Sequence, residues 1–113
     1  MRRTLVITGW LFVFAVIAFA GVANAQDAKK GEAVYTAQKC AVCHAIAGKG
    51  NKANPLDGVA AKMSADEIRS WIVTPVEAAA KAKSTKKPPM PAKYGKLPAA
   101  DIDGMVAYML SLK

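Results

Sequence analysis

The stretch that decides the reading is Lys39-Cys40-Ala41-Val42-Cys43-His44. Two thiols three positions apart at a helix end can both reach the vinyl groups on one edge of a haem, and the adjoining His44 can then set its imidazole on the iron. The pattern C-x-x-C-H therefore reads as covalent haem attachment. Three rival readings of the cysteines fail on the same sequence. A structural zinc site wants four Cys or His ligands, but the chain holds two Cys and one His. A thioredoxin-like redox pair needs a βαβ setting, for which strands and length are both lacking. A disulfide between Cys40 and Cys43 would close too small a loop to constrain much of the chain.

Upstream of this motif, Met1 to Ala25 reads as a secretory signal peptide. Arg2 and Arg3 give the positive start, Leu5 to Ala20 is almost wholly apolar, and Ala23-Asn24-Ala25 fits the small-x-small cleavage pattern. Cleavage would leave Gln26 as the N-terminus of an exported protein, and the periplasm is the expected compartment. Without cleavage the same segment would anchor the chain in a membrane, since about 20 apolar residues can span a bilayer.

Removing 25 of the 113 residues leaves 88, one small domain over residues 26–113. A protein core of that size is marginal alone, so a large cofactor would help to complete it. The net charge of +8 falls to +6 once Arg2 and Arg3 are gone. Much of the excess sits in Lys81, Lys83, Lys86, Lys87, Lys93 and Lys96, a surface suited to steering partners that carry acidic patches or simply to keeping a loop soluble. Nucleic acid is excluded as a partner by export.

The mature chain reads as all-α, short helices joined by loops, with no period-2 strand. Asp27 can cap a first helix from about Ala28 towards Lys39, with Gly31 and Tyr35 on one face. Gly48 to Gly58, rich in Gly, Asn and Lys, is a loop. Ser64-Ala65-Asp66-Glu67 is a capping box, followed by the apolar stripe Ile68, Trp71 and Ile72. Thr74-Pro75 ends that helix and opens another over Val76 to Lys83. Ser84 to Lys96, with Pro88, Pro89, Pro91 and Gly95, should be irregular. A last helix begins near Pro98 without a Ser or Thr cap and runs to the C-terminus, burying Ile102, Met105, Val106, Met109 and Leu110 on one face.

With a single histidine, bis-histidine ligation is excluded, which leaves Met, Lys or an open position opposite His44. Met105 and Met109 lie on the buried stripe and suit packing against the ring. Met63 and Met90 remain. Met90 stands in Pro88-Pro89-Met90-Pro91, where prolines restrict the backbone and could hold a thioether with little entropy left to lose. Met90 is the chosen ligand and Met63 the next in line; the plain alternative is a gap-filling core methionine. An iron lacking Met90 would suit gas binding or weak peroxidase chemistry better than electron transfer.

Taken together, Gly31-x-x-x-Tyr35-x-x-x-x-Cys40, Tyr108 in the last helix, Asn54-Pro55-Leu56-Asp57-Gly58 and Met90-Pro91 make residues 26–113 resemble a small bacterial class I cytochrome c. The resemblance implies the cytochrome c fold, three to five short helices wrapped around one covalently bound haem c. It implies close packing of Gly31 and an aromatic against the last helix, with Tyr108 as partner. It further implies that the Pro55 carbonyl accepts a hydrogen bond from the free ring nitrogen of His44, that Met90 supplies the distal ligand, and that Trp71 lies against the haem edge. With Tyr94, Met105 and Met109, these residues make up the expected pocket.

The expected function is transfer of single electrons between periplasmic protein partners, with no small-molecule substrate and no enzymatic turnover. Lys86, Lys87 and Lys93 are expected on the rim of the exposed edge. A permanent cytochrome subunit of a dehydrogenase or oxidase is the alternative, and a haem-based gas sensor or peroxidase with an open iron is the third reading.

Overall fold

The computed structural model describes residues 26–113. The expected signal peptide, Met1 to Ala25, lies outside the described residues. Helix α1 covers residues 26–37, so Asp27 already lies within the helix and is not its cap. The helix also stops before Lys39, which takes a left-handed conformation at φ 57°. That break turns the chain into a 3-10 turn, Cys40–Val42, and the cysteines therefore ride on this turn rather than on the helix.

A small hairpin follows His44, β1 (Ala45–Ile46) paired antiparallel with β2 (Lys49–Gly50), so the expected loop of Gly48 to Gly58 opens with its tip and second strand. Ala47 and Gly48, at φ 51° and 78°, form its tip; two successive positive φ values match the right-handed twist of the strands. A two-residue strand has too short an alternation to register as a period in the sequence.

Four further helices follow: α2 (Val59–Lys62), α3 (Ala65–Val73), α4 (Pro75–Lys81) and α5 (Ala99–Leu110). Ser64 caps α3 as its spacing requires, its hydroxyl accepting from the Glu67 amide at 3.2 Å. Pro75 opens α4 at the first helical position, where a missing N–H costs nothing. Helix α4 stops at Lys81, two residues short of the expected Lys83; residues 84–91 are irregular as expected, but Ala92–Lys96 tightens into a second 3-10 turn. Helix α5 begins at Ala99 without a side-chain cap and ends at Leu110, short of the C-terminus.

The core joins Tyr35, Val59, Ile68, Ile72, Ile102, Met105, Val106 and Met109, so α3 and α5 bury the faces their periodicity marks. Helix α3 packs on α4, on α5 and on the Ala92–Lys96 turn. Two expected core members differ. Leu110 is exposed, because it falls at the edge of the α5 stripe where the helix ends. Trp71 is half-buried and lies outside the core cluster, one position from Ile72 and so about 100° round the helix.

Helices α1 and α5 meet at glycine. A Cβ on Gly31 would run into the Gly104 carbonyl and come within 2.7 Å of the Tyr108 Cβ, so the two backbones touch. One turn on, Tyr35 and Tyr108 pack edge to face, centroids 5.8 Å apart. The expected glycine and aromatic contact with the last helix is thus present. Exposed ion pairs, Lys30–Asp101 at 3.6 Å and Arg69–Asp103 at 2.6 Å, tie α1 and α3 to α5 but contribute little each.

Candidate functional site

The turn that carries the cysteines is wound around one carbonyl. The Cys40 oxygen accepts from both the Cys43 amide at 3.1 Å and the His44 amide at 3.0 Å. Cys40 is half-buried against the core, whereas Cys43 and the intervening Ala41 and Val42 are exposed; Val42 is 69% exposed. The motif is therefore a surface ridge with its first thiol turned inward. No disulfide joins the two cysteines. Burial pushes the Cys40 thiol above its ordinary pKa, with the neighbouring Cys43 adding to the rise and Lys93 opposing it.

The outer carbonyls of this ridge are tied to the following loop by two asparagines. The Asn51 amide donates to the Ala41 oxygen at 3.1 Å and to the His44 oxygen at 2.9 Å, and its side chain donates to the Val42 oxygen at 3.3 Å. The Asn54 side chain donates to the Cys43 oxygen at 3.2 Å. Gly50 permits this approach: it sits at φ 108°, and any Cβ there would collide with the His44 and Ala41 carbonyls. Asp57 closes the loop by accepting from the Ala47 amide at 2.8 Å. The sequence places Asn51 in the Gly48 to Gly58 loop and Asn54 in the stretch Asn54-Pro55-Leu56-Asp57-Gly58 but assigns neither a role; the available signal is a pair of asparagines beside a glycine shortly after the motif.

His44 is oriented by a backbone carbonyl one residue from the expected position. Its Nδ1 lies 3.1 Å from the Asn54 oxygen, not from that of Pro55, which is exposed. The reason is the path of the loop: Ala45 bridges to Pro55, with its amide bonded to the Asn54 oxygen at 3.2 Å and its carbonyl accepting from Leu56 at 2.8 Å. This pairing turns the Asn54 oxygen towards the ring. A carbonyl only accepts, so Nδ1 carries the proton and Nε2 keeps a free lone pair. Burial pushes the imidazole below its ordinary pKa, partly offset by the Asn54 bond; the neutral, ligating form is favoured.

Met90 and Met63 are both half-buried against the same core cluster as Cys40, while Met105 and Met109 are 3% and 6% exposed within it. Tyr94 joins the periphery of that cluster. Its phenol is pushed above its ordinary pKa, first by burial and then by both thiols, and the Lys93 ammonium lies 5.2 Å from its ring centroid. Of the lysines expected on the rim, Lys86 is engaged: its ammonium donates to the Ala53 carbonyl at 2.9 Å.

Two cysteines on one turn with no disulfide between them, a neutral imidazole with Nε2 available and thioethers packed on the adjoining core form a donor set that suits an iron porphyrin joined by thioether bonds. They do not suit a bare ion: among the described residues no three His, Cys, Asp or Glu side chains gather as a metal-ion site.

The chain belongs to the Cytochrome c family, whose model matches residues 28–113. It carries one covalently bound haem c and transfers electrons. Two of its relatives are a cytochrome c6 of Porphyra purpurea, 35% identical over 98% of this chain and 94% of that protein, and a cytochrome c6 of Pyropia yezoensis, 34% identical over the same shares. No solved structure matches the chain.

Proposed function

We propose that the protein is an exported electron shuttle whose haem is joined through Cys40 and Cys43 and whose iron is held by His44 Nε2 and the Met90 sulfur. The observation that carries this reading is the bond from His44 Nδ1 to the Asn54 carbonyl. It fixes one tautomer and commits one ring nitrogen, which is how a ligating histidine is held in place. Bound haem supplies a one-electron ferrous–ferric couple. The chain's own residues keep that couple's surroundings constant: the Asn51 and Asn54 bonds hold the proximal turn, and the prolines around Met90 limit the motion of the distal loop. Met/His ligation raises the reduction potential, and Met105, Met109 and Tyr94, which belong to or pack on the core cluster, form the surroundings that exclude water.

Electrons pass at the exposed ridge of Ala41, Val42 and Cys43, where a small interface allows rapid release. Partners with acidic patches dock against the lysines between Lys81 and Lys96, and no small molecule is turned over. The relatives named cytochrome c6 support this reading. A free shuttle is favoured over a permanent subunit because, among the described residues, the exposed large hydrophobics Val42, Val76 and Leu110 stand on three separate elements and form no broad apolar face. We place the protein in the periplasm, with the leader removed after Ala25.

Protein expressed with export should give a pyridine haemochrome for one haem c, and its intact mass should correspond to a chain beginning at Gln26. Met90→Ala should lose the sulfur-to-iron band and lower the potential. Should both persist, Met63 takes the distal role. Strong carbon monoxide binding by the unmodified ferrous protein would instead favour an open iron.

A further inference from the structure

We infer that Lys86 is a positioning residue that straps the loop carrying Met90 to the loop that orients His44; its consequence for the iron rests on those two residues being the ligands. The Lys86 ammonium reaches 33 residues back along the chain to the Ala53 carbonyl, at 2.9 Å. Ala53 sits in the middle of the proximal brace. Its amide is held by the Asn51 side chain at 3.0 Å, and Asn51 in turn bonds the His44 carbonyl at 2.9 Å. The next residue, Asn54, provides the oxygen that orients the imidazole.

On the other side, Lys86 stands four residues before Met90, and three of the four residues from Pro88 to Pro91 are prolines. Their restricted backbone transmits a displacement instead of absorbing it. The segment has little else to secure it. Among the described residues, no backbone-to-backbone hydrogen bond is formed by residues 85–91, and every residue from Ala82 to Pro91 except Met90 is exposed. The Lys86 side chain is, among the described residues, the single hydrogen bond from this segment to the proximal loop. Opening the distal loop therefore requires breaking it. A lysine serving only to attract partners would keep its ammonium in water.

The test compares Lys86→Met with Lys87→Met in the haem-loaded ferric protein, since the two variants lose the same charge and Lys87 makes no such bond among the described residues. Imidazole is titrated while the sulfur-to-iron band is followed, because imidazole enters only when Met90 leaves. Amide hydrogen exchange is measured over residues 51–56. Lys86→Met should raise the apparent imidazole affinity by about threefold to tenfold, the range for loss of one net hydrogen bond, and speed exchange over residues 51–56. Lys87→Met should change neither. An affinity and exchange rate for Lys86→Met within about twofold of the unmodified protein, below the loss of one net bond, overturn the strap. Equal shifts in the two variants also overturn it, because net charge then accounts for the effect. Absence of the band in the unmodified protein overturns the ligand pair instead, and the exchange comparison alone then decides whether the strap exists.

Discussion

Substituting Gly31→Ala should separate the crossing of α1 and α5, and the size of the effect follows from what the new methyl group meets. Its obstacles are the carbonyl carbon and oxygen of Gly104 and the Cβ of Tyr108, the last at 2.7 Å. None of these can rotate away, so the helices must move apart. Overpacking of this kind costs about 1–3 kcal/mol or more. Moving the helices also loosens the edge-to-face contact of Tyr35 with Tyr108, worth about 0.5–1.5 kcal/mol. Against this, alanine in place of glycine in a helix stabilises by about 1 kcal/mol. The clash wins, and the net loss is about 2 kcal/mol, or roughly 8–16 °C in Tm for a domain of this size.

Gly104→Ala, on the other side of the same crossing, provides the control. Its Cβ would lie 3.2 Å from the Gly31 nitrogen and 3.3 Å from the Asp27 oxygen, a tight contact that small shifts can relieve. Helix propensity should nearly cancel that cost, leaving stability within about 1 kcal/mol of the unmodified protein. Thermal melts followed by far-ultraviolet circular dichroism, on samples matched for haem content, provide the measurement. A Gly31→Ala melt within about 3 °C of the unmodified protein, less than 1 kcal/mol on this scale, would refute the reasoning, as would a larger loss for Gly104→Ala.

Removal of the α3 cap by Ser64→Ala should cost about 1 kcal/mol in urea unfolding, with the visible spectrum unchanged. Ala47→Asn should stabilise by about 0.5–1 kcal/mol, because Asn before Gly suits the positive φ of both hairpin-tip residues and keeps the amide that Asp57 accepts; a lower urea midpoint would contradict this. Burial, reinforced by Cys40, Tyr108 and Asp57, pushes the Tyr35 phenol up to about 12. The native state thus keeps a proton that the unfolded chain releases near 10, so the contribution to stability is complete below about pH 10 and is lost as pH rises towards 12. Ring signals in an alkaline NMR titration should show Tyr35 among the last to ionise, and Tyr35→Phe should remove that step.

Local spacing was enough to identify the chemistry of this protein. The reach of two thiols and an imidazole from one turn depends on a few consecutive residues, so Cys40-x-x-Cys43-His44 could be read without knowing what surrounds it. Burial of Ile102, Met105, Val106 and Met109 was equally legible, because helical pitch converts their spacing into a common face. Ser64 and Glu67 marked a helix start for the same reason.

Other features depended on how distant segments meet. The acceptor for His44 proved to be Asn54 and not Pro55, a one-residue difference set by the pairing of Ala45 with the loop. Trp71 matched the apolar composition of its helix yet lies outside the core, since neighbours in sequence point about 100° apart and only packing decides where a face ends. The sequence offers Lys86 as one of three rim lysines for docking, and only the fold brings its ammonium to the Ala53 carbonyl. Sequence alone determined the attachment motif, the helical faces and the all-α class, which follow from short-range covalent geometry. The tertiary structure alone decided which carbonyl orients the imidazole and which lysine is bound, because hydrogen bonds are selected by fractions of an ångström between loops that no local period describes.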